Sequence, residues 1–207
     1  HIDFEENVNL LEKWQEIYKV MDKRANFKLA CYNSSDRGKG VKIVGLVYGD
    51  KKLTNEILKP IKDIVSQGSY KLDYIDIFEA NKIIQDSHPE FERYKSAGRF
   101  VYKDYTREEI TKLLELIDER AEGATYTAIT FYGLGGVIKE VKSDSTAFYH
   151  RDAQFILGFQ SVWEEPRFAP VNRKWFVEKL EYIKSITDGG FINFPCEEIN
   201  SQSKSYE

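Results

Sequence analysis

The sequence predicts an α+β fold, in which a mostly antiparallel β-sheet has helices packed on one face, with ferredoxin-like elements. Two observations predict it. Before Ala124, amphipathic helical stretches alternate with strand-like stretches, and after Ala124 the pattern changes to the two-residue period of successive strands. Strands in succession, combined with separate helices, are typical of domains whose helices gather on one side of an antiparallel sheet.

The composition is typical of a globular protein and argues against several other classes of protein. The chain has 207 residues, of which 42% are hydrophobic and 14% aromatic, so it can bury a core. Its net charge is −4, with both signs interspersed and no basic tract, which argues against a nucleic-acid partner. No apolar run is long enough for a membrane span. Two distant cysteines, Cys31 and Cys196, form no CxxC or disulfide pattern, so we expect a cytoplasmic protein without a metal site.

The first half predicts two helices around a hairpin. Apolar residues at helical spacing predict a helix from Glu6 to Met21. The runs "NFKLACY" and "VKIVGLVYG", joined by the polar turn "NSSDRGKG", predict a β-hairpin. A second helix is predicted around Ile57 to Val65. The run "YKLDYIDIF" then predicts a strand, followed by a short helix through Ile84.

The second half predicts most of the sheet. "GRFVY" predicts a strand, and "TREEITKLLELIDER" a helix that begins with a capping box between Thr106 and Glu109. "TYTAITFY", "GGVIKEV", "TAFYH" and "AQFILGFQSVW" predict successive strands. A last helix from about Asn172 to Ile186 precedes a predicted strand, "GFINF".

The glycine-rich stretch "YGLGGVI" does not fit a dinucleotide-binding loop. Gly133 and Gly135 match the first two glycines of G-x-G-x-x-G, but Ile138 stands at the third position and no Walker lysine is present. The apolar run that follows favours a strand over the helix that such a loop must open. We therefore predict a tight hairpin turn in which Gly135 and Gly136 serve folding and need a positive φ.

The order of several motifs resembles the substrate domain of the berberine-bridge-enzyme-like flavoprotein oxidases, within the vanillyl-alcohol-oxidase superfamily. A "GG-I" element leads to an "A-x-x-HR" element at 146–151 and a long strand ending at Trp163. "WFVEKLEYIKSI" and the "Y-x-N-Y"-like run 191–194 follow. Upstream, Trp14-Gln15 and "YKSAGRFVY" also correspond, so the resemblance covers nearly the whole chain.

This resemblance implies a flavoenzyme with two parts. In the family an N-terminal domain binds FAD, often covalently, and the substrate domain lays its antiparallel sheet over the flavin ring. The enzyme passes a hydride from a small organic substrate to the flavin, and O₂ commonly reoxidises it. Residues 1–207 are thus expected to be a substrate-binding fragment that lacks the FAD domain, the covalent attachment residue and the closing segment.

Three expectations follow from that interpretation. The substrate is an alcohol, a sugar or an amine-like molecule. The fragment alone is inactive and colourless, and it hides its exposed sheet face by forming a homodimer. The alternative function is a non-catalytic binding or structural module that keeps the fold.

When the resemblance is applied to individual residues, it does not assign the catalytic base. In many members the last Tyr of "Y-x-N-Y" is the base, but Phe194 stands there and cannot accept a proton. Tyr126 and Tyr132 are the candidates to replace it. The expected flavin contacts are Asn193, His150 and Arg151, with a structural role as the alternative for the last two. The expected substrate contacts are Gln154, Gln160 and Phe159. Phe159 and Gln160 alternate on one strand, so only one can face the flavin, and Phe159 also fits the core.

Overall fold

The computed structural model describes residues 4–64, 69–85 and 91–200. The strands are β1 (Ala25–Ser34), β2 (Gly38–Val47), β3 (Arg93–Val101), β4 (Ala124–Gly133), β5 (Phe155–Trp163) and β6 (Asp188–Gly190). The helices are α1 (Phe4–Lys19), α2 (Lys51–Ile64), α3 (Ile77–Gln85), α4 (Arg107–Leu116), α5 (Val137–Glu140), α6 (Ala169–Ser185) and α7 (Glu197–Asn200). A short 3₁₀ turn, Pro166–Phe168, precedes α6.

The strands form a six-stranded sheet in the order β2-β1-β4-β5-β3-β6. Every pairing is antiparallel, so the predicted α+β class is confirmed. The predicted hairpin is also confirmed, with Ala25 opposite Val47 at its open end and Ser34 opposite Gly38 at its turn. β1 then pairs with β4, which brings the hairpin beside the strands of the second half of the chain.

The main core lies on one face of the sheet, beneath the helices. Trp14 of α1, Leu113 of α4 and Leu180 of α6 are each fully buried there. Leu157 and Phe159 of β5 meet them from the sheet. The predicted amphipathic helices therefore bury their apolar stripes as their spacing indicates. None of the described helices is long and apolar enough to cross a membrane.

Two buried amides fix helices against the sheet and loops. Gln15, in the Trp14-Gln15 pair of α1, accepts from the Tyr105 backbone N–H at 2.7 Å and donates to the Tyr105 carbonyl at 3.2 Å. Asn172 of α6 accepts from the Ser161 hydroxyl at 2.8 Å. Because a buried amide is stable only when its polar atoms are paired, these contacts hold α1 and α6 in register with their neighbours.

The predicted capping box at the start of α4 is confirmed. The Glu109 backbone N–H donates to the Thr106 hydroxyl at 3.2 Å, and the Thr106 N–H donates to the Glu109 carboxylate at 2.9 Å. Each side chain thus satisfies a backbone donor that the first turn leaves unpaired. The helix ends at Leu116, earlier than its sequence pattern suggests.

Four strand predictions were wrong. The run "YKLDYIDIF" is irregular up to the start of α3 at Ile77. "GGVIKEV" contains the 4-residue helix α5, and "TAFYH" is irregular. "GFINF" forms a turn, and the last strand lies just before it, as the 3 residues of β6. Because β4 pairs directly with β5 in the sheet, the segment that connects these two strands finds no free edge of β4 to pair with.

A small apolar cluster covers one end of the opposite sheet face. Its buried members are Phe100, Leu134, Ala153 and Ile156. Partly buried side chains from the segments on either side of β5 and β6 pack against it, namely Tyr132, Ile138, Phe148, Phe191 and Phe194. The residues wrongly predicted as strands therefore cover part of the sheet instead of extending it.

The turn after β4 needs its positive φ at Gly136 and not at Gly135. Gly136 has φ 53° and ψ −127°, whereas Gly135 lies outside the positive-φ region. A Cβ on Gly135 would meet only Tyr18 Cε1, at an ordinary 3.6 Å. The sequence interpretation was thus correct that a glycine is required here but wrong in assigning the requirement to Gly135. The predicted tight hairpin was also wrong, because the short helix α5 begins directly after Gly136.

We expect Gly136→Ala to lower the free energy of unfolding by about 1–3 kcal/mol, because it forces a Cβ into a conformation that only glycine adopts readily. The matched variant Gly135→Ala should change it by less than about 0.5 kcal/mol. Urea unfolding of both variants beside the wild type measures the difference. Equal losses in the two variants would contradict the assignment to Gly136.

Candidate functional site

The face of the sheet opposite the helices carries a band of polar and aromatic side chains, which we call the open face. In β1 the apolar residues Leu29 and Cys31 point into the core, so Lys28, Ala30 and Tyr32 lie on the other side. The register places the alternate residues of β4, β5 and β3 beside them. The open face consists of Lys28, Ala30, Tyr32, Tyr94, Ser96, Gly98, Tyr126, Ala128, Thr130, Tyr132, Gly158 and Gln160.

Small residues form a row across the middle of the open face. Ala30 lies opposite Thr130, Thr130 opposite Gly158, and Gly158 opposite Gly98. A Cβ on Gly158 would lie 2.9 Å from Tyr132 Cε2, and one on Gly98 would lie 2.5 Å from Phe194 Cδ2. The rings of Tyr132 and Phe194 therefore lie directly on the glycine backbone.

Hydrogen-bonding groups lie on the side of the row of small residues that faces away from Tyr132. Tyr32 lies opposite Ala128 on β4, and Ala128 lies opposite Gln160 on β5. The rings of Tyr32 and Tyr126 stack with centroids 5.8 Å apart and planes 19° apart. In the part of the chain that the structure describes, the Gln160 amide and these two hydroxyls have no hydrogen-bond partner. They are available to a bound molecule.

Burial controls the protonation of the tyrosines. It raises the pKa of Tyr126 to about 12, with smaller contributions from the phenols of Tyr32 and Tyr132. Burial also raises the pKa of Tyr132 above its usual value. Both phenols are therefore protonated at neutral pH and can donate a hydrogen bond to a ligand.

Of the two tyrosines, Tyr132 lies next to Phe194. Its ring centroid is 5.7 Å from that of Phe194, at an angle of 58°. Phe194 in turn packs edge to face on Phe191 at 5.3 Å. The neighbouring strand β4 thus places a tyrosine ring against the "Y-x-N-Y"-like run.

His150 and Arg151 lie at the covered end of the sheet, in the loop before β5. The His150 ring stacks on Phe100 with centroids 3.7 Å apart, and its Nδ1 is 2.5 Å from the Tyr102 hydroxyl oxygen. Burial lowers the pKa of His150, which favours the neutral ring. Arg151 donates to the Thr146 hydroxyl at 2.6 Å and lies over the Phe148 ring. These contacts hold the loop together. They differ from the ion pair with a carboxylate that an arginine linking two strands of the sheet would make.

The remaining predicted residues are in three different environments. Phe159 is 1% exposed and stacks on Phe176 at 4.8 Å, so it belongs to the helix-side core and not to the open face. Gln154 joins strands through its backbone, and its buried side-chain oxygen has no partner among the described residues. Asn193 is exposed in the turn beside Phe194. Of the predicted residues, only Tyr126, Tyr132 and Gln160 share the open face.

Sequence reasoning missed the contribution of β1. Lys28 and Tyr32 belong to the open face because β1 pairs with β4. The signal was present in "NFKLACY", where Phe27, Leu29 and Cys31 alternate with Lys28, Ala30 and Tyr32. The alternation shows that the strand has a polar side, but not which strand lies next to it.

The chain was compared with known proteins. No protein-family model matches it. Two uncharacterized FAD-linked oxidoreductases of Bacillus subtilis (strain 168) are similar in sequence. YgaK is 23% identical over 207 residues, which cover 99% of this chain and 44% of YgaK. YvdP is 22% identical over 216 residues, which cover 96% of this chain and 46% of YvdP. The chain thus spans less than half the length of the curated relatives it matches.

Solved structures share the fold. Berberine bridge enzyme from Eschscholzia californica matches with a TM-score of 0.75 at 14% identity, covering 94% of this chain and 42% of that one. Chitooligosaccharide oxidase matches with a TM-score of 0.78 at 15% identity, covering 96% and 45%. Phl p 4, a grass pollen allergen with glucose dehydrogenase activity, matches at 0.75 and 13%, covering 91% and 40%. The resemblance stated from the sequence is confirmed.

Proposed function

We propose that this chain is the substrate-binding part of an FAD-dependent oxidoreductase that transfers a hydride from a small organic substrate to the flavin, with O₂ as the common final acceptor. One observation carries the proposal. The sheet has a helix-covered face and an open face, and the open face gathers unpaired hydrogen-bonding groups in a chain similar to FAD-linked oxidoreductases. Partly aromatic surfaces that carry a few hydrogen-bonding groups are typical of ligand sites.

The residues of the open face fit a flavin ring. A flat ring system needs a surface of small side chains with aromatic rings and hydrogen-bonding groups around it. Ala30, Ala128 and Thr130 provide one beside the rings of Tyr132 and Phe194, which cover Gly158 and Gly98. Tyr126, Tyr132 and Gln160 would flank the ring and the substrate. A flavin supplies the capacity to accept two electrons as a hydride, while the protein orients the reactants and excludes water.

A non-catalytic module is the second candidate, and one observation favours it. Phe191 and Phe194 have phenyl rings where the family has tyrosines, and both rings pack against the apolar cluster at the covered end. Apolar packing explains these two residues without any chemistry. In that case the fold persists as a binding surface, and the open face pairs with another protein or with a second copy of the chain.

The absorbance spectrum of the full-length protein tests the proposal. We expect flavin bands that remain after denaturation and precipitation if the cofactor is covalently attached, and that bleach when substrate is added without air. The 207-residue chain alone should be colourless and should not bind added FAD tightly, since most contacts to FAD are expected in the remainder of the protein. A full-length protein without flavin would favour the non-catalytic module.

A further inference from the structure

Lys28 is a half-buried cation on the open face that packs over an aromatic ring and has no acidic partner among the described residues. Its Nζ lies 5.7 Å from the centroid of the Tyr132 ring, near the residues proposed for chemistry. Within residues 4–64, 69–85 and 91–200 it has no ion pair and no hydrogen bond to its ammonium group. Burial lowers the pKa of Lys28, and the charge of nearby Lys42 lowers it further.

The surroundings of Lys28 contain no compensating negative charge. Its neighbours across the strands are Val44 on β2 and Tyr132 on β4. The charged group that faces it is another cation, Lys42, which lies opposite Ala30 on the same face. No residue of the open face is acidic. A half-buried ammonium with no carboxylate beside it can pair with an anionic ligand, in addition to its contact with the Tyr132 ring.

We propose that Lys28 binds a carboxylate group of the substrate, so that the enzyme acts on a hydroxylated acid and not on an amine. This inference rests on the proposed function and narrows its substrate class. The open face offers hydroxyl and amide groups for the substrate's own hydroxyls and one partly buried ammonium for a single negative charge. An amine would bring a third positive charge beside Lys28 and Lys42 without any carboxylate to pair with it.

Binding of matched acid and neutral ligands to the full-length protein tests this. D-glucuronate and D-glucose differ by a carboxylate in place of one CH₂OH group, and lactate and propane-1,2-diol form a second matched pair. We expect at least one acid to bind more tightly than its neutral partner, by roughly ten- to a hundredfold, the factor expected for one charge-assisted hydrogen bond. Isothermal titration calorimetry measures the binding without any turnover.

The variant Lys28→Met should abolish the preference and leave the neutral ligand unaffected. The control Lys174→Met removes an exposed lysine from α6 on the helix side, so it should retain the preference. Lys28→Met should also unfold at the same or a higher temperature, because it removes an unpaired, partly buried charge.

The two proposals can fail separately. If no acid in either pair binds more tightly than its neutral partner, or if Lys28→Met keeps the preference, the inference about Lys28 is wrong even when the protein holds a flavin. If the preference depends on Lys28 but the full-length protein holds no flavin, the carboxylate site stands and the oxidoreductase function fails.

Discussion

Phe159→Ala is expected to lower the free energy of unfolding by about 3–5 kcal/mol, the range for removing a buried phenylalanine side chain. Phe159 is 1% exposed and lies between the rings of Phe176 and Trp175, at 4.8 and 5.6 Å. Truncation leaves a cavity that neighbouring side chains fill only in part. Chemical denaturation of the variant and the wild type measures the loss.

The adjacent residue provides the matched control. Gln160 points to the open face and has no hydrogen-bond partner among the described residues, so Gln160→Ala should change stability by less than about 0.5 kcal/mol. In the full-length protein, that variant should instead weaken substrate binding. If Phe159→Ala unfolded like the wild type, the assignment of the two faces of β5 would be wrong.

The sequence predicts the elements whose stability is local. The α1 and α4 helices follow from apolar spacing, and α4 also from a capping box that involves only Thr106 and Glu109. The long strands β1, β4 and β5 follow from their composition and length. In each case the residues that determine the element are its own or its immediate neighbours.

The failures occur where the structure depends on distant partners. The run after Gly136 has the apolar content of a strand, but β5 already occupies the edge of β4, so its Ile138 packs against the covered end instead. The last strand is short because the chain leaves β3 after a register shift at Arg99/Phe100, and Phe191 N–H then donates to the Gly98 carbonyl. No local pattern contains this information.

The candidate site likewise contains residues that the sequence pattern predicts and residues that depend on distant strand pairing. The two-residue period places Tyr126, Tyr132 and Gln160 on one face once β4 and β5 are known to pair. Lys28 and Tyr32 could not be added, because they reach this face through the pairing of β1 with β4, about a hundred residues apart in sequence. The choice between Tyr126 and Tyr132 also required the position of Phe194.

If the full-length protein is the proposed oxidoreductase, Tyr132→Phe is expected to reduce its kcat by about a hundred- to ten-thousandfold, the usual contribution of a general base. The ring of Tyr132 packs on Phe194, with centroids 5.7 Å apart, and Phe194 stands where the resembling flavoproteins have their tyrosine base. Tyr126 stacks instead on Tyr32, away from Phe194. Tyr126→Phe should therefore change KM more than kcat. Steady-state kinetics of the two variants separate these effects.

The pH dependence distinguishes a base from a residue that only positions the substrate. A base acts when deprotonated, and burial raises the pKa of Tyr132, so kcat/KM of the wild type should rise by about tenfold per pH unit from neutral pH upward. In Tyr132→Phe this rise should disappear.

Adding Phe194→Tyr to that variant returns a hydroxyl to the family's usual position. The ring of residue 194 lies on Gly98 and packs against the ring of residue 132, which lies on Gly158. It should recover at least part of the lost kcat together with the rise with pH. A Tyr132→Phe variant that kept both kcat and the pH-dependent rise would show that a group other than Tyr132 accepts the proton.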